Sequence, residues 1–354
     1  MIFTFIAGLL ALVAGAEVLV RGASRLALSI GISPLVIGLT VVAFGTSAPE
    51  VAVSVGAVLD DKNDIALGNV VGSNIFNILF ILGLSAVITP LVVNRQIIRQ
   101  EVPIMVGASL LLLVLSLDLV LGLLDCVLLS LLLVAYTVFL VVQSRREDKG
   151  EPDEYEHLTK TASRWDAHWA VQVLLIVAGL GLLVLGSRWL VDAAVAFAKD
   201  FGVSDLVIGL TVVAAGTSMP EVATSVMASV RKERDIAIGN AIGSTTFNIL
   251  GCIGISGLVS ANGLAVPPSV LNFDIWIMLA AAFACLPVFL TGRKIARWEG
   301  VIFLAYYIAY TTYLIMAAQD HNALEAFSTM MLSFILPITV VTFVVMILKP
   351  GNKI

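Results

Sequence analysis

Residues 38–55 read GLTVVAFGTSAPEVAVSV and residues 209–226 read GLTVVAAGTSMPEVATSV, identical at fifteen of eighteen positions at a constant offset of 171. The register continues without a gap, because GNVVGSNIFNILFILG at 68–83 meets GNAIGSTTFNILGCIG at 239–254. Agreement over two separated blocks marks an internal duplication, so the chain is built from two copies of one unit. Each copy carries a carboxylate, Glu50 or Glu221, just after a Gly-Thr-Ser-x-Pro run inside an apolar stretch.

Working outward, the stretch on either side is hydrocarbon-like. Of 354 residues, 59% are hydrophobic and only 13% charged, with a mean hydropathy of +1.04. A soluble domain runs at roughly 45–50% apolar and about 25% charged. The solvent for this chain is therefore lipid, which excludes a cytosolic enzyme, a nucleic-acid binder and a disordered protein. Eleven spans are expected, near 3–28, 34–59, 65–88, 102–118, 121–143, 168–198, 205–230, 236–259, 272–290, 298–318 and 327–348. The N-terminal MIFTFIAGLL lacks the basic flank of a cleaved signal and reads as a retained first span. Cys126, Cys252 and Cys285 lie far apart without metal-ligand spacing and read as small buried hydrophobes.

Basic residues orient the chain. With the N-terminus outside, fifteen Lys and Arg fall in inside segments, and only Lys62 and Lys199 fall outside. The charged stretch 144–167 is then a cytoplasmic linker between one half at 1–143 and another at 168–320, followed by an additional helix at 326–348. Five spans precede the second copy, so the copies enter the membrane from opposite sides. The expected fold is an all-α polytopic membrane protein: two inverted five-helix repeats with broken midplane helices, plus one extra C-terminal helix. That architecture is common among secondary transporters, with the substrate site at the repeat interface.

Pro49 and Pro220 remove a backbone donor in mid-span, and Gly45 and Gly216 loosen the turn before them, so each helix is expected to break there. A break at membrane depth survives only buried in protein or lining a cavity. The incoming half-helix ends near Ala43–Thr46, and its free carbonyls, the Thr and Ser hydroxyls and a carboxylate make an all-oxygen nest suited to hard cations. Ser47 with Glu50, and Ser218 with Glu221, also have the S-x-x-E spacing of a capping box. Pure capping leaves the carboxylate unexplained, because an amide would cap in lipid at lower cost. Ser73 and Asn77, like Ser244 and Asn248, are four apart and stack a hydroxyl and an amide on one helix face. The glycines of the same motif also read as a close helix contact. Asn69 and Asn240 are balanced between ligation and packing. Glu17 and Arg188 share a repeat position with opposite charges; snorkelling at span ends is expected ahead of an ion pair between the halves.

With its GTS-x-PE and GN-x-x-GS-x-x-x-N signatures each present twice, the chain resembles the sodium/calcium exchanger branch of the cation/calcium exchanger superfamily over about residues 1–320. The short linker is similar to that of the bacterial members. The resemblance implies Glu50 and Glu221 as central carboxylates shared by Ca²⁺ and Na⁺, with Ala43 and Ala214 giving carbonyls. It implies Thr46 and Thr217 as backbone or hydroxyl oxygens, Ser73 and Ser244 as hydroxyls, Asn77 facing Asn248, and Ser47 and Ser218 near the site. It also implies an antiporter of a bacterial or archaeal inner membrane, with no cofactor beyond the transported ions, exchanging Na⁺ for Ca²⁺ by alternating access and extruding Ca²⁺. Proton-coupled exchange of calcium or another divalent cation is the alternative. An intramembrane enzyme is disfavoured, since no His-Glu-x-x-His occurs and Ser47 and Ser218 lack a His or Lys partner within a span. An ion channel fits duplicated halves around one site less well.

Overall fold

The computed structural model describes residues 2–146, 168–200, 214–260, 263–290, 292–319 and 321–348. The first half contains α1 (Ile2–Ile30), α2 (Pro34–Thr46), α3 (Ala48–Leu59), α4 (Asn63–Ile88), α5 (Ile97–Leu115) and α6 (Leu123–Arg146). The second contains α7 (Trp169–Asp200), α8 (Ala214–Thr217), α9 (Met219–Val230), α10 (Arg234–Leu258), α11 (Val270–Leu290) and α12 (Arg297–Ala318), and α13 (residues 324–348) follows. Among the described residues, nine helices are long and apolar enough to cross a membrane, and the bent pair α2–α3 makes ten. The start of the expected seventh span and the linker at 147–167 lie outside the described residues.

Two helices form the centre. The apolar window of α10 is 100% buried and that of α4 is 72% buried, against 6% for α12 and none for α13. Polar residues of the second motif therefore face protein, and the large exposed apolar side chains of the outer helices, such as Leu124, Leu131 and Ile308, face lipid. Gly239 and Gly243 let α10 approach the backbone of α2: a Cβ on Gly243 would stand 2.7 Å from the Leu39 carbonyl oxygen. The packing reading is thus met at Gly239 and Gly243, whereas a Cβ on Gly68 or Gly72 has no neighbour within 4 Å among the described residues.

α1 and α7 occupy equivalent repeat positions and run antiparallel in close contact. A Cβ on Gly8 would lie 2.9 Å from the Gly186 carbonyl oxygen, one on Gly15 2.9 Å from that of Gly179, and one on Gly22 3.0 Å from that of Gln172. Two short strand pairs tie the halves at their ends, each joining one connection from each half. β1 (Leu91–Val92) pairs with β4 (Lys294–Ile295), and β2 (Val120–Leu121) with β3 (Leu264–Ala265). Connections paired in this way satisfy backbone groups that lipid could not.

Candidate functional site

The α2–α3 break falls at Ser47, with a bend of 42°, and the α8–α9 break falls at Ser218. Ser47 (φ −80°, ψ 5°) and Ser218 (φ −89°, ψ 10°) share one conformation, as duplicated sequences in duplicated surroundings should. Pro49 and Pro220 cannot donate, so the Gly45 and Gly216 carbonyls lose the partner a continuous helix would supply. The Gly216 carbonyl recovers one from Ser187 Oγ on α7 at 2.6 Å. Because the helix runs on to Thr46, the Ala43 carbonyl is not freed as expected: it accepts from Ser47 N at 3.0 Å and lies 3.3 Å from Thr46 Oγ1. Ala214 opens the short helix α8.

Neither S-x-x-E pair caps its own helix. Ser47 and Ser218 sit at the N-cap positions without a side-chain cap hydrogen bond. Each hydroxyl crosses to the other half instead: Ser47 Oγ donates to Glu221 Oε1 at 3.0 Å, and Ser218 Oγ donates to Glu50 Oε1 at 2.8 Å. Ser73 Oγ on α4 joins this cluster, 3.5 Å from Glu50 Oε1 and 3.2 Å from Ser218 Oγ. The hydroxyl proton of each serine thus goes to the carboxylate of the opposite half, a charge-assisted bond stronger than one to a neutral acceptor.

Both carboxylates are completely buried. Among the described residues neither has a Lys or Arg partner, and the second oxygen of each, Glu50 Oε2 and Glu221 Oε2, has no hydrogen-bond partner. Ser244 Oγ and both polar atoms of Asn77 are likewise buried without a partner among the described residues. Buried polar atoms are nearly always satisfied, and a buried uncompensated carboxylate costs several kcal/mol or more. The carboxylate oxygens, the Ser244 hydroxyl and Asn77 Oδ1 come from both halves and are the ligand type an oxygen-preferring cation takes, whereas Asn77 Nδ2 can only donate a hydrogen bond.

The asparagines divide into struts and lining. Asn69 Nδ2 donates to the Glu50 carbonyl at 3.3 Å and to Ser54 Oγ at 3.0 Å, and its Oδ1 accepts from Thr217 Oγ1 across the interface at 3.4 Å. Asn240 repeats the pattern with the Glu221 carbonyl at 3.3 Å, Ser225 Oγ at 2.9 Å and Thr46 Oγ1 at 3.0 Å. Thr46 and Thr217 therefore brace the two breaks through these amides. Asn77 and Asn248 each stand at a π-helical widening of their helix, a feature frequent at functional sites. Asn248 hydrogen-bonds to Asn74 rather than Asn77, donating through Nδ2 at 3.2 Å, and its Oδ1 accepts from Cys252 Sγ at 3.3 Å. Cys252 is thus tied to the site and is more than a packed hydrophobe. Asn74 and the bracing of the opposite break by Asn69 and Asn240 were missed from sequence, because Asn248, Thr217 and Thr46, their partners there, lie in the other half. The Asn recurring at a fixed distance before the Gly-Ser pair was the available signal.

Glu17 pairs with Arg231 at the end of α9, so an ion pair between the halves exists, with a different partner from Arg188.

Residues 1–145 and 171–316 match the family described as "Sodium/calcium exchanger protein". The chain is 36% identical to the inner membrane protein YrbG of Escherichia coli over 70% of this chain and 76% of that protein. It is 32% identical to the sodium/calcium exchanger MaX1 of Methanosarcina acetivorans over 77% of this chain and 87% of that one. A solved structure of the sodium-calcium exchanger NCX_Mj, soaked with 10 mM Na⁺ and no Ca²⁺, superposes with a TM-score of 0.74 at 30% identity, covering 90% of this chain and 97% of that one.

Proposed function

The chain belongs to the sodium/calcium exchanger protein family and is an integral membrane cation exchanger, and from that premise we propose that it exchanges Na⁺ for Ca²⁺ by alternating access. One observation carries this reading: Glu50 and Glu221, one from each half, are buried against serine hydroxyls of the opposite half, each with one oxygen unpartnered among the described residues. Ca²⁺ takes six to eight oxygen ligands, and two carboxylates match its charge. Glu50 and Glu221 are the charged ligands; Ser73, Ser244 and Asn77 complete the lining. Ser47 and Ser218 hold one oxygen of each carboxylate, leaving the other to the ion. Thr46, Thr217 and Asn248 act nearby, and Ala43 and Ala214 add carbonyl oxygens, each with a second lone pair beyond its helical hydrogen bond. Na⁺ competes for the same oxygens, so each ion displaces the other and one gradient drives the second.

The two halves, 1–143 and 168–320, are inverted repeats; the antiparallel pairing of the equivalent helices α1 and α7 supports this. Helix 326–348 is an addition outside the repeats. With the N-terminus outside and 144–167 cytoplasmic, inward Na⁺ flow extrudes Ca²⁺ across a bacterial or archaeal cell membrane.

The test is ⁴⁵Ca²⁺ uptake into proteoliposomes loaded with Na⁺, with Na⁺-free and proton-gradient arms. Uptake should require internal Na⁺ and vanish in Glu50→Gln and Glu221→Gln, both still folded in detergent. Uptake that follows only the proton gradient would overturn the coupling, and normal exchange in both variants would overturn the site.

A further inference from the structure

The two halves are not in the same arrangement, and the difference falls on charges that ion binding leaves unused. α1 lies along α9, and at the end of that seam the Arg231 guanidinium donates to the Glu17 carboxylate, joining the halves. At the offset of 171, the counterparts of Glu17 and Arg231 are Arg188 on α7 and Asp60 at the end of α3, with both signs exchanged. The counterpart seam is open. α7 makes no comparable contact along α3. Gly45 packs on the Leu180 side chain there, and beside that contact lies a cavity of about 430 Å³ lined by Ala48, Val184 and Arg188. Asp60 is held instead by its neighbour Lys62 at 3.5 Å. Ala48, on the open side, is exposed, whereas its counterpart Met219 is half-buried.

We propose that these four residues form two alternating latches: Glu17–Arg231 holds one cleft shut in the conformation described here, and Arg188–Asp60 forms when the opposite cleft closes. Exchanging both signs together preserves attraction in each seam. Within each half the two charges have like sign, Glu17 with Asp60 and Arg188 with Arg231, so attraction acts only across the halves, and each seam brings one opposite pair together. The side chains of the formed pair are 36% and 39% exposed, and such pairs are weak. Weakness suits a latch that opens in every cycle, because a bond worth a few-fold biases two states without trapping one. The inference rests on the alternating-access reading and deepens it. In the orientation proposed above, Arg231 is cytoplasmic, so the closed latch faces the cytoplasm and Ala48 faces the outside.

The experiment reads accessibility rather than transport. Ala48→Cys and Met219→Cys are placed singly in the full chain in proteoliposomes, where the native cysteines are buried. A membrane-impermeant maleimide is then applied from either side in the absence of Na⁺ and Ca²⁺. The expected result is that Glu17→Gln or Arg231→Gln speeds labelling of the Met219→Cys reporter and slows that of the Ala48→Cys reporter, each about two- to five-fold. Asp60→Asn and Arg188→Gln should shift both rates in the opposite direction. The charge-swapped double variants E17R/R231E and D60R/R188E should restore the parental rates, which also separates latch loss from misfolding. Shifts in the same direction for both pairs, no shift, or failure of the swaps to restore would overturn the latch. Absence of Na⁺-coupled Ca²⁺ exchange with these shifts intact would overturn the ion assignment and leave the latch standing.

Discussion

Replacing Gly243 with Ala adds one methyl group at the contact between α10 and α2, and its consequence follows from the geometry. The new Cβ would stand 2.7 Å from the Leu39 carbonyl oxygen, 2.8 Å from Leu39 Cα and 2.9 Å from Ala43 Cβ, where ordinary contact begins at 3.4 Å. None of these atoms is the movable end of a long side chain, so the helices must separate by about 0.7 Å, or the main chain must bend, to recover van der Waals distance. Overpacking of this kind costs about 1–3 kcal/mol. Its effect on function should be larger than its effect on stability. Ser244 is the next residue on α10, and α2 ends in Thr46 against Ser47, so the separation widens the site between the two halves. Ca²⁺ is held within a window of about 0.3 Å in ligand distance, and misplacements near 1 Å cost up to about 100-fold. Gly243→Ala should therefore remain folded in detergent with a lowered melting temperature, and raise the Ca²⁺ concentration for half-maximal exchange at least about ten-fold. Gly107→Ala, at an exposed position on α5 with no neighbour within 4 Å among the described residues, is the control and should leave both properties near wild type. Wild-type exchange and melting in Gly243→Ala would refute the close approach of α2 and α10, and with it the positioning of Ser244.

Asn69→Ala or Asn240→Ala removes a strut that ties one break to its neighbouring helix and to a threonine of the other half; each should cost about 2–3 kcal/mol in a thermal melt, and an unchanged melt would count against the bracing. Ser187→Ala strips the hydroxyl from the Gly216 carbonyl and makes the position resemble Ala16, its repeat counterpart, so stability should fall by about 1–2 kcal/mol with recovery in Ser187→Thr; equal melts for both variants would argue against that bond. Ser47→Ala or Ser218→Ala leaves a buried carboxylate without its crossing hydroxyl and should weaken Ca²⁺ competition against Na⁺ in ⁴⁵Ca²⁺ exchange several-fold, whereas loss confined to stability would assign the serines to helix capping after all.

The sequence by itself determined that two copies exist, where each helix breaks, and which carboxylates and second-motif residues belong together. A repeat at constant offset is a relation within the chain, a proline in mid-span carries its effect in its own missing N–H, and span lengths follow from the thickness of hydrocarbon. Glu50, Glu221, Ser73 and Ser218 could be named for those reasons; Glu50, Ser73 and Ser218 form one cluster, and Glu221 takes the Ser47 hydroxyl. What the tertiary structure alone decided are the partners. The spacing of Ser47 to Glu50 is the same whether serine caps its own helix or reaches Glu221, and only the position of the opposite break, bringing a charged acceptor within 3.0 Å, settles it. The same holds for Asn69 with Thr217, for Asn248 with Asn74, and for Glu17, whose partner proved to be Arg231. Ala43 shows the converse limit: a break located to within a turn does not say which carbonyl is released, because that depends on how far the incoming helix runs before Ser47 turns. Local spacing fixes which side chains share a face, while hydrogen bonds over more than a hundred residues depend on how two packed halves are juxtaposed.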